Sequence, residues 1–348
     1  MVTQGIAEVT RSGNLLKGIR HKMRDQALWQ ALWYVAPGQA ELRDEQVALP
    51  DAESVRVRAL FGAISRGTER LILSGRVPPA EFERMRAPFM SGTFPFPVKY
   101  GYATVGRIED GPRAGEIAFT LHPHQSRFVV PEAAAHRVPA NIPPSRAVLA
   151  ANMETALNAI WDGAPAPADR IAVVGGGIVG LLVARLCARL PGAEVTVVDV
   201  APARAALTQR LGVGFALPDA APVDCDVVFH ASASGAGLAT ALRCAGDEAA
   251  IVELSWYGSG EVSVPLGGAF HSRRLRLISS QVGKVAPSHR LRWNYARRLA
   301  AALALLDDPV LDGLLTPAVP FEELPVRLPA LLAADGDASC PLIRYRES

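Results

Sequence analysis

Between residues 27 and 150, apolar positions come in short alternating runs such as SVRVRALFG, TVGRIED and EIAFTLHP, interrupted by Pro and Gly. Period-two alternation at this close spacing predicts a compact, mostly β domain. From about residue 151 the pattern changes: NMETALNAIWD has helical spacing, and APAPAD reads as a turn. Strand-like runs (RIAVVGG, AEVTVVD, GFAL, DVVFHAS, EAAIVEL, RLRLISSQV) then alternate with helix-like ones (GLLVARLCARL, ARAALTQRLG, GLATALRCAG). Alternation of this kind predicts α/β architecture, with parallel strands and right-handed helical crossovers in a doubly wound sheet. Past residue 290, RWNYARRLAAALALLDD predicts an amphipathic helix, TPAVPFEELP an extended piece, RLPALLAAD a further helix and PLIRYRE a last strand. Residues 1–26 are polar, basic and weakly periodic, and predict an extension draped over the fold or loose.

A chain of 348 residues predicts two domains. Basic and acidic residues nearly balance, 36 against 34, which argues against nucleic acid or an anionic membrane as the main partner. Cys187, Cys225, Cys244 and Cys340 show no metal-knuckle spacing, and so few cysteines in a long chain suit a reduced, cytoplasmic protein. The first residues lack the apolar stretch of a secretory signal. IAVVGGGIVGLLVA comes nearest to a membrane span, yet its glycines and the following Arg185 fit a strand, turn and helix better.

That segment carries the first chemistry. Gly175, Gly177 and Gly180 fall in GxGxxG register after an apolar strand and at the start of a helix. The next strand ends in Asp199, 19 residues after Gly180. This context is a dinucleotide-binding fingerprint of the Rossmann type. Gly175 permits the tight turn, Gly177 leaves room for the pyrophosphate, and Gly180 lets the helix approach the sheet. The helix-opening N–H groups of Ile178 and Val179 face negative charge. Asp199 accepts from the adenosine ribose and repels a 2′-phosphate, which favours NAD over NADP. Arg204, a helical turn on, either flanks the adenine, lies on the surface or greets a phosphate. His230 closes the fourth strand at the nucleotide crevice, and Thr155 lies on the helix that precedes the turn.

Order and spacing resemble the medium-chain dehydrogenase/reductase superfamily over residues 27–348. VVGGGIVGLLVARL, VTVVDVAPARAALTQRLG and FEELPVRLPALL are similar to its cofactor turn, second strand with helix, and closing element. SRGTERLILSG, LHPHQSRFVVP and NMETALNAIWD resemble the zinc-independent branch that includes bacteriochlorophyllide hydroxyethyl dehydrogenases and zinc-type alcohol dehydrogenase-like proteins. The resemblance implies a GroES-like catalytic domain from residues 27–150 with 308–348, a Rossmann domain over 151–307, and a homodimer joined edge to edge through RLRLISSQV. It also shows departures from the metal-dependent pattern. Ser65 and Glu69 of ISRGTE stand near a cysteine and an acid, Gly101-Tyr102-Ala103 replaces Gly-His-Glu, and Ala-Asn-Met-Glu at 151–154 stands near the third ligand. No cysteine precedes Cys187, so the structural zinc lobe is missing. No zinc is expected, because catalytic zinc needs about three N, S or carboxylate ligands at one point.

Without a Lewis acid, hydrogen-bond donors must polarise the carbonyl oxygen and move the proton. Tyr102 inherits the place of a metal-binding histidine and is either that donor or core filling. Ser65 and Thr68 orient substrate or ribose, or bond local backbone. Glu154 takes a proton through water or pairs with Arg66. Lys99 either lowers the tyrosine's pKa or, the favoured reading, is a solvated surface charge, and His122 and His124 read as polar surface or substrate-pocket residues. Phe61, Phe89, Phe94, Phe96 and Tyr102 would line a pocket for a bulky hydrophobic secondary alcohol or ketone, a tetrapyrrole hydroxyethyl group being the most concrete case the resemblance offers. A quinone or enoyl reductase and an NAD(H)-binding regulatory protein without catalysis are the alternatives.

Overall fold

The computed structural model describes residues 29–46, 49–333 and 339–346; the extension expected over residues 1–26 lies outside them. Its β-rich part is organised around one long strand, Ser54–Ala63. Val55, Val57 and Ala59 point inward while Arg56 and Arg58 stay half-exposed, as period-two alternation requires. The register slips between Ala59 and Phe61 opposite Thr104–Ile108, so Leu60 is buried against the alternation. This strand centres a seven-stranded sheet, and the C-terminal strand Leu342–Arg344 returns to pair with it antiparallel. A second sheet of four strands contains Trp29–Ala36, Gln39–Glu45, Ser91–Gly92 and Val98–Lys99.

The predicted alternation appears as a six-stranded parallel sheet. Its order is Gly214–Ala216, Glu194–Val198, Arg170–Val174, Cys225–His230, Ala245–Glu253, Arg276–Ser279. Both faces are covered. Ile171 and Val173 join the larger core with the helices Ala150–Gly163 and Ile178–Cys187, whereas Ala172 and Val174 face the helix Gly235–Cys244. The molecule is therefore α/β, a doubly wound parallel sheet beside a separate β-rich unit.

The two parts share apolar packing. The core under the parallel sheet also takes in Ala63, Ala103, Val105 and Phe119 from the β-rich part. Leu32, Tyr34, Val57, Phe128 and Ile343 form a core of the β-rich part's own. Tyr102 packs against both. Among the described residues no helix is long and apolar enough to cross a membrane, and all four cysteines are free and buried.

Lys99 is a correction to the sequence reading. Strand pairing with Trp33 turns it inward, and its ammonium donates to Glu45 at 2.6 Å and to Gln125 at 2.9 Å. It is buried and paired rather than solvated.

Candidate active site

The glycine turn is made by close approach of backbone to backbone. Gly175 has φ +109°, and a Cβ there would lie 2.6 Å from the Ser232 amide nitrogen. At Gly180 a Cβ would lie 2.0 Å from the Gly175 carbonyl oxygen, so only glycine lets helix and turn meet. A Cβ on Gly177 would meet nothing within 4 Å. Gly177 caps the helix Ile178–Cys187 without any side-chain cap, and Gly177, Ile178 and Val179 are half-buried. The first-turn N–H groups thus lack a side-chain partner at an open surface, which fits a pyrophosphate.

Asp199 is buried at the end of the adjoining strand. Its Oδ2 accepts from the Gly176 N–H at 2.7 Å and from the Arg204 guanidinium at 2.6 Å, and its Oδ1 accepts from the Ala201 N–H at 2.9 Å. Arg204, read from sequence as flanking the adenine, on the surface or meeting a phosphate, lies instead across the acidic residue itself. Thr155 donates its hydroxyl to Ala151 of its own helix at 3.0 Å. His230 is fully buried, with Nδ1 2.7 Å from Glu253 and Nε2 2.6 Å from the Ser232 hydroxyl.

At the seam between the cores, the Tyr102 hydroxyl makes a short hydrogen bond to the Ser65 hydroxyl and a second to Thr68 Oγ1 at 3.2 Å. Ser65 precedes the helix Arg66–Leu73, so Ser65 and Thr68 present their hydroxyls together from one helix start. Glu69, on the same helix, is fully buried beneath them. Its carboxylate accepts from the Ser65 N–H at 2.7 Å and the Tyr34 hydroxyl at 2.5 Å, and His124 Nε2 stands 2.9 Å away. Gly101, at φ +129°, leaves room for the His124 ring, which a Cβ would approach to 2.9 Å. Burial pushes the Tyr102 phenol up to about 12, against the opposing pull of its bonds to Ser65 and Thr68. The phenol therefore stays protonated at neutral pH and serves as a donor.

This donor set does not fit zinc. The groups that meet at Tyr102 are hydroxyls, the nearby carboxylate is occupied by three partners, and no cluster of three His, Cys, Asp or Glu occurs among the described residues.

Other expectations are redistributed. Glu154 pairs with Arg298 at 3.0 Å rather than with Arg66, whose guanidinium reaches the Ala333 carbonyl. Arg298 is itself buried and also bonds Asn158, Val282 and Lys284, so the pair ties the helix Ala150–Gly163 to the loop before the helix Tyr295–Ala304. Burial raises the Glu154 carboxyl more than Arg298 lowers it. No bond joins it to the Tyr102 cluster. His122 and His124 are buried rather than surface residues: His122 stacks 3.8 Å from Phe128, and burial holds it down at about 3, hence neutral. Phe94 packs between Phe82 and Tyr100 as core, whereas Phe89 is 38% exposed and Phe61 and Phe96 are half-buried.

No protein-family model matches the sequence, and no curated protein matches it. Solved structures match in fold. A Sinorhizobium meliloti 1021 protein classed as a zinc-binding dehydrogenase and bound to NADP is 17% identical, with a TM-score of 0.73 over 92% of this chain and 100% of that one. A short chain alcohol dehydrogenase from E. coli CFT073 complexed with NADH is 16% identical, with a TM-score of 0.71 over 91% and 99%. The 2R,3R-butanediol dehydrogenase of Bacillus subtilis is 15% identical, with a TM-score of 0.69 over 91% and 99%.

Proposed function

We propose that this chain is a zinc-independent, NAD(H)-dependent oxidoreductase of the medium-chain dehydrogenase/reductase type. It would interconvert a bulky, hydrophobic secondary alcohol and its ketone. The observation that carries the reading is the Tyr102–Ser65–Thr68 hydroxyl cluster at the seam of the two cores, in a chain with a complete dinucleotide turn. The fold shared with NADP- and NADH-bound dehydrogenases supports it.

When bound, a nicotinamide would supply hydride chemistry at the carbonyl carbon. Gly177, Ile178 and Val179 would hold its pyrophosphate, and Asp199 the adenosine ribose. The Tyr102 phenol donates into the cluster, and the Ser65 and Thr68 hydroxyls present O–H groups to the substrate oxygen. They polarise a ketone and deliver the proton that completes the alcohol. Glu69, Tyr34 and His124 keep the cluster in place from beneath.

Arg204 favours a second cofactor reading. If its guanidinium swings from Asp199, it can meet a 2′-phosphate, and NADPH then competes. A homodimer is part of the proposal. Among the described residues the edge strand Arg276–Ser279 has one neighbour, and Arg276, Leu277 and Ser279 are exposed, which leaves its outer hydrogen-bonding edge for a second copy.

Fluorescence titration with NADH and NADPH, then turnover on alcohols, ketones and enones with EDTA present, tests the reading. NADH binding with EDTA-insensitive ketone reduction is the expected result. Turnover confined to enones would move the assignment to an enoyl or quinone reductase, and tight NADH binding without turnover to a regulatory protein. Loss of activity with EDTA that zinc restores would remove the metal-free mechanism.

A further inference from the structure

The near balance of charge along the whole chain does not hold locally. Between Glu261 and Asp307 the sequence has no acidic residue, while arginine and lysine recur throughout. Some of these cations have partners from other segments: Arg273 meets Asp224, Arg274 meets Glu248, and buried Arg298 pairs with Glu154. Arg276, Lys284, Arg290 and Arg292 are exposed and meet no carboxylate among the described residues. Positive charge therefore gathers on one face without its counter-charge.

Two of these cations, Lys284 and Arg290, line a cavity of about 530 Å³ at the end of the edge strand Arg276–Ser279 and the start of the helix Tyr295–Ala304. Trp293 and Tyr295 give it aromatic walls, and Asp162 is the one carboxylate lining it. The walls are fixed from outside the cavity. The Trp293 ring lies 4.9 Å from Trp161 and 4.0 Å beneath the Arg297 guanidinium. Tyr295 is 55% exposed, yet its hydroxyl is committed to the Gly283 carbonyl at 2.8 Å. The loop that closes the cavity is tied down as well. Ser280 donates to Asp162 at 2.7 Å, the Ala286 N–H donates to Asn158 at 3.1 Å, and Arg298 donates to the Val282 and Lys284 carbonyls. Asp162 Oδ2 accepts from Asn158 too, at 3.1 Å, which binds that oxygen into the floor.

A preformed cavity of this size, with apolar walls and a few convergent charges, suits a small molecule. A bare anion would leave the aromatic walls wet, and a neutral ring would leave the two cations without a counter-charge. A ring that carries a negative group answers both. We infer that this cavity binds a small aromatic anion, a flat ring bearing a phosphate or a carboxylate. The ring lies against Trp293 and Tyr295, and the negative group meets Lys284 and Arg290. The cavity shares no residue with the glycine turn or the Tyr102 cluster, so the inference stands apart from the reaction proposed above.

Calorimetric titration of the full chain with phenyl phosphate, benzoate, inorganic phosphate and phenol tests it. Phenyl phosphate or benzoate should bind at least about fivefold more tightly than inorganic phosphate or phenol, and the tighter of the two identifies the negative group. Lys284→Gln combined with Arg290→Gln should weaken that probe about tenfold or more, the scale of a lost charge-assisted bond. Both side chains are exposed and unpaired, so the melting temperature of this double variant should not move. Tyr295→Leu should weaken the aromatic probe about three- to tenfold and inorganic phosphate by less than about twofold. Equal affinity for the aromatic anions and inorganic phosphate overturns the inference, as does equal loss of both in Tyr295→Leu. Unchanged affinity in the double variant places the probe elsewhere and overturns it too. So does failure of both aromatic anions to bind at about 10 mM.

Discussion

At Gly175–Gly180 the site is made by the absence of side chains: a Cβ 2.0 Å from a carbonyl oxygen forbids any other residue at Gly180. Around Tyr102 the site is made of side chains, with the phenol and two hydroxyls held over a buried carboxylate. The first is rigid because the main chain cannot pass through itself. The second is tuned by burial and hydrogen bonding, so its chemistry shifts when one atom is removed. Binding and turnover should therefore be separable by mutation. The largest effect tests the side-chain region. Tyr102→Phe deletes one oxygen and should lower turnover by about 10²–10⁴-fold, with NADH affinity changed by less than about twofold. Steady-state kinetics beside a binding titration checks both, and full activity in the variant would return Tyr102 to the core.

The backbone region answers differently. Gly180→Val forces helix and turn apart, with an expected cost of about 3 kcal/mol. For a domain of this size that lowers the melting temperature by roughly 6–12 °C, and NADH binding should go with it. A variant that melts normally and binds NADH would mean that the helix does not sit where the glycine spacing puts it. Asp199→Ala is gentler. It should weaken NADH about tenfold, the scale of one charge-assisted hydrogen bond, and bring NADPH affinity closer as Arg204 is freed. Unchanged preference between the two, measured by parallel titration, would remove Asp199 from that role.

The same contrast explains what could be read from sequence. The glycine turn was legible because its residues are consecutive and each glycine has a local steric reason. Asp199 followed from the strand that carries it, but the Arg204 pair that covers it did not, since sequence does not say which way an arginine turns. Tyr102 and Ser65 are 37 positions apart, and only the resemblance to a metal-dependent pattern placed them together. Glu154 and Arg298, 144 apart, left no local signal, and the nearer Arg66 was the natural but mistaken partner. Lys99 was misread for a related reason: its partner Glu45 lies 54 residues away, so nothing in VKYG marks the ammonium as buried. His230 and Ser232 stand two apart in FHAS, yet they join a longer hydrogen-bonded chain only through Glu253 on the next strand.

The smallest expected effect is a profile that does not move. A tyrosine of ordinary pKa is about half ionised at pH 10, whereas one near 12 is only about 1% ionised there. Burial puts Tyr102 at about 12, so its O–H survives across the working range. Ketone reduction that draws on this donor should thus hold its kcat within about twofold from pH 7 to pH 10, once cofactor saturation is maintained. Loss should begin only above that range, as the phenol ionises and the donor is removed. The position of the fall is what discriminates. A phenol whose pKa was lowered by a neighbouring cation would lose its proton, and with it the reduction rate, between pH 8 and 10. Lys99 is the cation closest in sequence, and it is bound to Glu45 and Gln125 instead. A fall between pH 8 and 10 that disappears in Tyr102→Phe would therefore contradict the burial that keeps the phenol protonated. A flat profile, with the Tyr102→Phe deficit equal at every pH, fits a hydroxyl that stays protonated throughout.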